Sequence, residues 1–496
     1  MLLRHVHLLG RPGPAAVLIG VTGVVEWVGP DADRPAAGTG PEVDGDGRWL
    51  LPGFWDEHVH FRLWAELSRR LDLGAAPSAA AAAALVADRA RRDPSSPLIA
   101  VGFRDALWPD APAKGLLDAA APDSAVYAFS GDLHSMWLNS PALARHGLAG
   151  HPTGLLRETD CFRVMEALAG PTADPTAGPD SATEDRWILE AAAQAATRGV
   201  TGIVDLDLTW GFDAWAERAA RGVPVRVAVG VYPENLGRAV QRGYRTGQPL
   251  NPADPAGLVT VGPLKVITDG SLNTRTAWCF DPYPGLSGPD ACGVASVPPP
   301  ELAALITAGW AAGLVPAVHA IGDRANAAAL DAFEQVGCPG RIEHAQLLRP
   351  EDIRRLARLG ITASVQPEHA VDDRDVADRY WAGRTARAFP FRDLLDAGVT
   401  LALGSDAPVA PLDPWIAVGA AVTRTRGQRR PWHPEQAMTT GEALKASARG
   451  RATVEPGMTA DLQLVERNPL AIDPADLRTM PVALTLLAGR VTHTAL

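Results

Sequence analysis

The sequence predicts a (β/α)8 barrel carrying an inserted subdomain and a small β domain assembled from both chain ends. Three observations lead there. Eight short apolar runs bounded by Gly or Pro alternate, for the most part, with helix-like stretches, the rhythm of parallel strands joined by crossover helices. The 496 residues accommodate one barrel of roughly 250 residues plus appendages. Four histidines and an aspartate fall at the carboxyl ends of the runs, the rim on which barrel proteins build their sites.

Taken in order, residues 1–52 show only short β-like pieces, AAVLIG and GVVEWVG, and residues 453–496 show ADLQLVE and VTHTAL. Chain termini commonly lie close together, so both ends are assigned to one composite β domain. The barrel occupies 53–452. Its first run is GFWDEHVHF (53–61), followed by VTGIVDLD (200–207), VRVAVGVY (225–232), LVTVGPLKVITDG (258–270), LVPAVHAIG (314–322), RIEHAQ (341–346), ITASVQP (361–367) and VTLALGSD (399–406). Helical patterns such as FDAWAERAARG (212–222), PPELAALITAGWAAG (299–313) and RANAAALDAFEQVG (324–337) separate them. The gap of about 62–199 is too long for one connection and predicts an inserted subdomain. It carries a strand of its own, AVYAFSGD (125–132), and an alanine-rich helix, SAAAAAALVADRARR (78–92). PTADPTAGPDSATED (171–185) has the composition of a surface loop or linker.

Composition excludes several classes. Hydrophobic residues make up 47% and charged residues 21%, enough to bury a large core. The formal net charge of -11 repels phosphate backbones and anionic lipid, so neither nucleic acid nor membrane is an expected partner. The four cysteines, Cys161, Cys279, Cys292 and Cys338, form no CxxC pair, and a reducing compartment fits best. With neither a secretory signal nor an apolar run of membrane-spanning length, the expectation is a cytoplasmic protein.

The chemistry is concentrated at the strand ends. His58 and His60 are two apart, and a strand's period of two places both imidazoles on one face, able to hold one ion. His319 and His344 end two further apolar runs, and Asp406 ends a third. A single such histidine is more often a hydrogen-bonded core residue, but five aligned placements are hard to explain that way. Lys265 interrupts the run VGPLKVITDG, where an unpaired ammonium is costly to bury. It pairs with Asp269, reaches to solvent, or is chemically altered.

Together the strings LPGFWDEHVHF, GPLKVITDGSLNTRTAWCFDPY, VHAIGDRANAAALDAFE, RIEHAQLL, SVQPEH, LALGSDAPV and PGMTADLQLV resemble the amidohydrolase superfamily, specifically its family 3, the branch that includes N-substituted formamide deformylase. The resemblance covers nearly the whole chain, in the family's order. It implies a distorted (β/α)8 barrel with a β-sandwich made of both ends. It also implies two divalent metal ions, zinc the expected kind: His58 and His60 on one, His319 and His344 on the other, Lys265 bridging as an N-carboxylated lysine, and Asp406 beside a bridging hydroxide. A lysine amine held unprotonated can add carbon dioxide and become an anionic bridge, and two metals lower the pKa of a shared water towards about 7. Asp406 would then accept the proton and return it to the leaving nitrogen.

The inserted segment supplies SGDLHSMWLNSPAL and PTGLLRE, similar to family segments near the substrate. His134, Trp137 and Glu158 are therefore pocket candidates, with packing the alternative for Trp137 and a surface ion pair or a bridging metal ligand the alternatives for Glu158. Asp269 and Arg275 follow the lysine strand and are placed beside the substrate or behind the metal ligands. Two departures stand out. Asn273 replaces the family's usual Gly, and the passage 441–462 from barrel to β domain is shorter than usual.

The expected activity is metal-dependent hydrolysis of a non-peptide carbon–nitrogen bond in a small-molecule substrate, an amide or N-substituted formamide, with Asp406 as general base and acid. Deamination or cyclic-amide opening is the alternative within the superfamily. A catalytically silent binding protein on the same barrel is the alternative outside it. The resemblance leaves room for a homodimer.

Overall fold

The computed structural model describes residues 1–35, 40–92, 97–169, 181–251 and 257–496. Each of the eight apolar runs contains one barrel strand: Phe54–Val59, Val200–Asp205, Arg226–Val231, Val259–Ile267, Pro316–Ala320, Arg341–His344, Thr362–Val365 and Leu401–Leu403. They pair in chain order and in parallel throughout. A parallel bridge from Val59 to Ala407, just past the eighth strand, nearly closes the ring. Runs such as RVAVGV are buried along almost their whole length because helices cover the outer face and the inner face fills with side chains. The helices Phe212–Ala220, Pro299–Ala311 and Asp323–Val336 lie where the sequence pattern put them.

Both chain ends contribute to one sheet. Leu2–Leu8, Ala15–Ile19, Val25–Pro30, Glu42–Asp44 and Trp49–Pro52 come from the front, and Leu462–Val465, Val482–Leu487 and Arg490–Thr494 from the back. Its two arms are joined where His7 and Leu8 pair with Trp49 and Leu50, and Leu3, Val17, Leu464 and Leu486 from both arms share one apolar cluster.

Between the first and second barrel strands lies a five-stranded sheet, in the order Leu155–Arg157, Ser135–Leu138, Val126–Ser130, Leu98–Phe103, Leu71–Asp72. Sequence patterning marked only the central strand, because the others are short or interrupted. The alanine-rich helix forms over Ala79–Arg92. Of the stretch read as a linker, 171–180 lies outside the described residues, while 181–185 opens the helix Ser181–Ala196 instead. There Ile188, Ala191 and Ala192 are buried, and this tertiary burial outweighs the turn-like composition of the first residues.

The passage from barrel to β domain begins with the helix Thr440–Ser447, which packs against the first barrel strand. Thr439 and Glu442 form a reciprocal capping box, and Arg392 donates to Glu442. Hydrogen bonding from Arg392 draws the Glu442 carboxyl from the ordinary 4.5 down to about 2. A depressed carboxyl pKa stabilises the fold above the unfolded value, and that share is lost as pH falls from about 4.5 through about 2. Glu442→Ala should therefore cost about 1 kcal/mol at pH 7, modest because the side chain is partly exposed, and markedly less at pH 3. Urea unfolding of both proteins at the two pH values checks this, and a cost that grows on acidification would contradict it.

Candidate functional site

The site is built where the first, fourth, fifth, sixth and eighth strands end. His58 lies within the first strand and His60 directly follows it as the residue preceding the helix Phe61–Leu67, their ring centroids 5.7 Å apart. The segment after the eighth strand is knitted to them: Asp406 N–H donates to the His58 carbonyl at 2.7 Å and His60 N–H to the Ala407 carbonyl at 2.9 Å. Gly404 permits this approach, since a Cβ there would lie 2.7 Å from the His58 nitrogen. Asp406 consequently places Oδ1 3.3 Å from His60 Nε2 and 3.5 Å from His58 Nε2.

His344 ends the sixth strand at φ +73°, and Asp406 adopts φ +58°, both in the left-handed region that costs a non-glycine residue about 1–3 kcal/mol. At His344 the turn defeats strict strand alternation. Neighbouring Glu343 and His344 both reach His58, the carboxylate bonding its Nδ1 at 2.6 Å and the imidazole lying 4.8 Å away, centroid to centroid. The His319 ring is 4.4 Å from that of His344. Lys265, buried in the fourth strand, brings Nζ to 3.3 Å from His58 Nε2, so the readings in which it pairs with Asp269 or reaches solvent are not what the fold adopts.

The outer nitrogen of each of two imidazoles is turned to an acceptor: His58 Nδ1 meets Glu343, and His344 Nδ1 meets Gln366 Oε1 at 2.8 Å, while His319 Nε2 lies 3.4 Å from Asp269 Oδ1 without a hydrogen bond. Such outer partners select the tautomer and aim the remaining nitrogen into the site. Burial holds His58 down at about 4 and His319 and His344 well below their ordinary value, so these rings are neutral and offer lone pairs. Burial also draws Lys265 down to about 8. For Asp406 burial works upward, but His58 and His60 outweigh it and keep the carboxyl ionised.

Behind the histidines runs an ionic chain, buried at Glu343, Glu57 and most of Arg341 and reaching the surface at Arg449. Arg341 donates to Glu343 Oε1 at 2.5 Å, to Glu57 Oε2 at 2.9 Å and to Ser364 Oγ at 2.7 Å, and Arg449 donates to Glu57 Oε1 at 2.5 Å. It ties together the first, sixth and seventh strands and holds Glu343 as a carboxylate against His58.

Among the described residues, two groups of side chains could each hold a metal ion: His58, His60 and Asp406, and His344, His369 and Asp406, the donor atoms of each group lying within 4.8 Å of one another. His369, on the short helix Pro367–Asp372, was not named by the sequence reading, although it sits in SVQPEH just past a strand end. Its ring stacks over His344 at 6.2 Å and its Nε2 lies 3.8 Å from Asp406 Oδ2.

The remaining candidates divide. His134 faces the site, its ring 5.9 Å from that of His319, and Glu158 bonds its Nδ1 at 2.9 Å. Burial alone would lower His134, but Glu158 carries it up to about 9, so the two form an imidazolium–carboxylate pair. Glu158 also accepts from Thr274 and Thr276, so it is engaged away from Lys265 and positions His134. Asp269 accepts from the amides of Trp278, Ile321 and Gly322, steadying the end of the fifth strand behind His319. Trp137 is not in the pocket: it is fully buried in the inserted subdomain, edge-on to Phe103, because strand alternation turns it to the far side of its sheet. Arg275 also lies elsewhere, over the Tyr380 ring in an outer groove. Asn273, the departure from the family pattern, does line the recess.

No helix among the described residues is long and apolar enough to cross a membrane. Comparison with known proteins agrees with the architecture. The sequence pattern of the amidohydrolase family matches residues 41–493. The chain is 29% identical to the YtcJ amidohydrolase of Bacillus subtilis (strain 168), across 91% of this chain and 90% of that one. It is 26% identical to the N-substituted formamide deformylase of Arthrobacter pascens, covering 94% and 93%. Among solved structures, an uncharacterized metal-dependent hydrolase from Pyrococcus horikoshii OT3 superposes with a TM-score of 0.77 at 24% identity, over 96% of this chain and 99% of that one. A match running almost end to end, on a barrel whose rim gathers side chains able to hold a metal ion, establishes the kinship: this chain belongs to the amidohydrolase family.

Proposed function

We propose that the protein hydrolyses a non-peptide carbon–nitrogen bond of a small molecule, an amide or an N-substituted formamide. The observation that carries this is the convergence of His58, His60, Lys265, His319, His344 and Asp406 on one recess, with the outer nitrogens of His58 and His344 bonded to acceptors. Neutral imidazoles, a carboxylate and a lysine amine are the donors two divalent ions require, zinc being the expected kind. His58 and His60 would hold one ion and His319 and His344 the other, with His369 a further imidazole within reach. Ions bound there supply a water made nucleophilic at neutral pH and a Lewis acid for the substrate carbonyl.

The chain's own groups do the rest. Lys265, buried with its basicity reduced, is suited to take up carbon dioxide with loss of a proton and would then offer an anionic carboxylate to ions held there. Asp406, ionised and facing His58 and His60 through one oxygen and His369 through the other, takes the water's proton and returns it to the leaving nitrogen. His134, held as an imidazolium by Glu158, lines the same recess.

The test is an assay of metal-loaded protein against formamides, acylated amines, hydantoins and aminated heterocycles, following release of amine or ammonia. Amine release from acylated amines or formamides is expected. Ammonia release from the heterocycles, or opening of hydantoins alone, would move the protein to the deaminases or cyclic amidases. No release from any member, with two ions confirmed by elemental analysis, would favour a binding protein.

A further inference from the structure

We propose that the substrate carries an anionic group at the far end of one substituent, which leaves the reaction site past Asn273 and ends against Arg275 in the outer groove. This rests on the reading of the site as an amide hydrolase and deepens it.

The groove continues the site. A recess of about 790 Å³, mouth included, is lined by His319, His344 and Asp406, and the outer groove beside it encloses about 840 Å³. Asn273 and Ala106 line both. The helix Arg374–Tyr380 spans them as well: Val376 lines the recess, and Tyr380, four residues on and so on the same face, lines the groove. A substituent that follows these residues runs from the histidines to Arg275.

Charge decides what the groove takes. Its charged lining residues are Asp105, Asp110, Arg157 and Arg275. Asp110 gives one oxygen each to the amides of Ala79 and Ala80 at the start of the helix Ala79–Arg92. Asp105 feels two cations, Arg157 at 3.7 Å and Arg275, so one positive charge is left over. Arg275 rests on the Tyr380 ring, 5.3 Å from its centroid, and its guanidinium makes no hydrogen bond or ion pair with any described residue. Arg379 stands 5.2 Å from the same ring and donates to the Ala106 carbonyl. Two guanidiniums gathered on one ring repel each other, and a stacked guanidinium keeps its N–H edge free for an anion. At the junction the Asn273 carboxamide also has no hydrogen-bond partner among the described residues, and it can donate to a chain passing over it. Inside the recess, by contrast, Asp132, Asp372, Asp373 and Asp406 outnumber Arg104 and the His134 imidazolium. Among the side chains, an anion therefore finds its partner beyond Asn273. Arg275 stays clear of the reacting bond and meets only the far end of the substrate.

The test measures binding by calorimetry on the metal-loaded protein with phenyl ketones, in which a methylene stands in place of the amide nitrogen so that nothing is cleaved. The probes carry a chain of two to about eight methylenes ending in sulfonate, a weak metal ligand, in its neutral counterpart methyl sulfone, or in trimethylammonium. On the longer chains sulfonate should bind about tenfold tighter than sulfone, the worth of one hydrogen bond to a charged group, with trimethylammonium weakest. On the shortest chain that advantage should vanish. Arg275→Met should bring sulfonate to the affinity of sulfone while sulfone changes little, which also reports an intact fold. Asn273→Asp, a like charge at the junction, should cut the preference by at least about threefold. Equal affinities at every length, tightest binding by trimethylammonium, no binding of any probe, a preference as large on the shortest chain as on the longer ones, or one that survives both substitutions would overturn the inference. Since no probe turns over, this outcome is separate from the hydrolysis assay: a protein that releases amine but shows no length-dependent sulfonate preference loses only the outer subsite.

Discussion

Asp406→Asn should lower kcat by about 10²–10⁴-fold, the usual worth of a positioned general base and acid, while metal content stays near that of the wild type. Asparagine keeps the shape and the backbone bond to His58, but it cannot accept the water's proton or hand one to a departing nitrogen. Because His58 and His60 hold the wild-type group ionised despite its burial, the loss should be present across the neutral range rather than appearing only at high pH. Steady-state kinetics on whichever substrate the panel identifies, together with elemental analysis, decide it. Unchanged turnover would remove Asp406 from the chemistry, and an unchanged function without turnover would point to a binding protein.

The second large effect concerns stability. Arg341→Met should destabilise the protein by about 3–5 kcal/mol, the cost of removing one partner from a buried ion pair. Glu343 is fully buried and Glu57 nearly so, and Arg341 is bonded to both. Arg449 still serves Glu57 after the substitution, whereas Glu343 keeps only His58. Arg341 holds the Glu343 carboxyl well below the ordinary carboxylate range against the upward pull of burial. That stabilisation exists above the unfolded pKa and is lost as pH falls through the folded one, so the gap between variant and wild type should narrow in acid. Urea midpoints at pH 7 and pH 4 measure it, and Arg341→Met with Glu343→Gln should recover part of the loss. A single variant as stable as the wild type would show that the ionic chain is dispensable.

How far the site was legible depended on the kind of signal. His58, His60, His319, His344 and Asp406 announce themselves because polar residues at the ends of apolar runs break a pattern. Lys265 does so more strongly, since a charge inside such a run demands a reason. The same logic applied to RIEHAQ would have marked Glu343 and Arg341, which stand in that strand as openly as Lys265 does in its own. Trp137 and Arg275 were misplaced because proximity in the chain to family-like segments says nothing about which face a side chain takes. Trp137 alternates away from the site, and Arg275 turns at φ +61° onto Tyr380.

Taken alone, the chain's residues determine eight parallel strands, because apolar periodicity and the Gly and Pro breaks between runs are local properties that each segment carries with it. They also determine which donor groups ride on the strand ends. Only the folded molecule decides that His369 joins His344 beside Asp406 and that Glu343 lies against His58. Those relations join residues up to hundreds of positions apart. They are set by how the ring closes and by backbone turns at His344 and Asp406 that only tertiary contacts can hold.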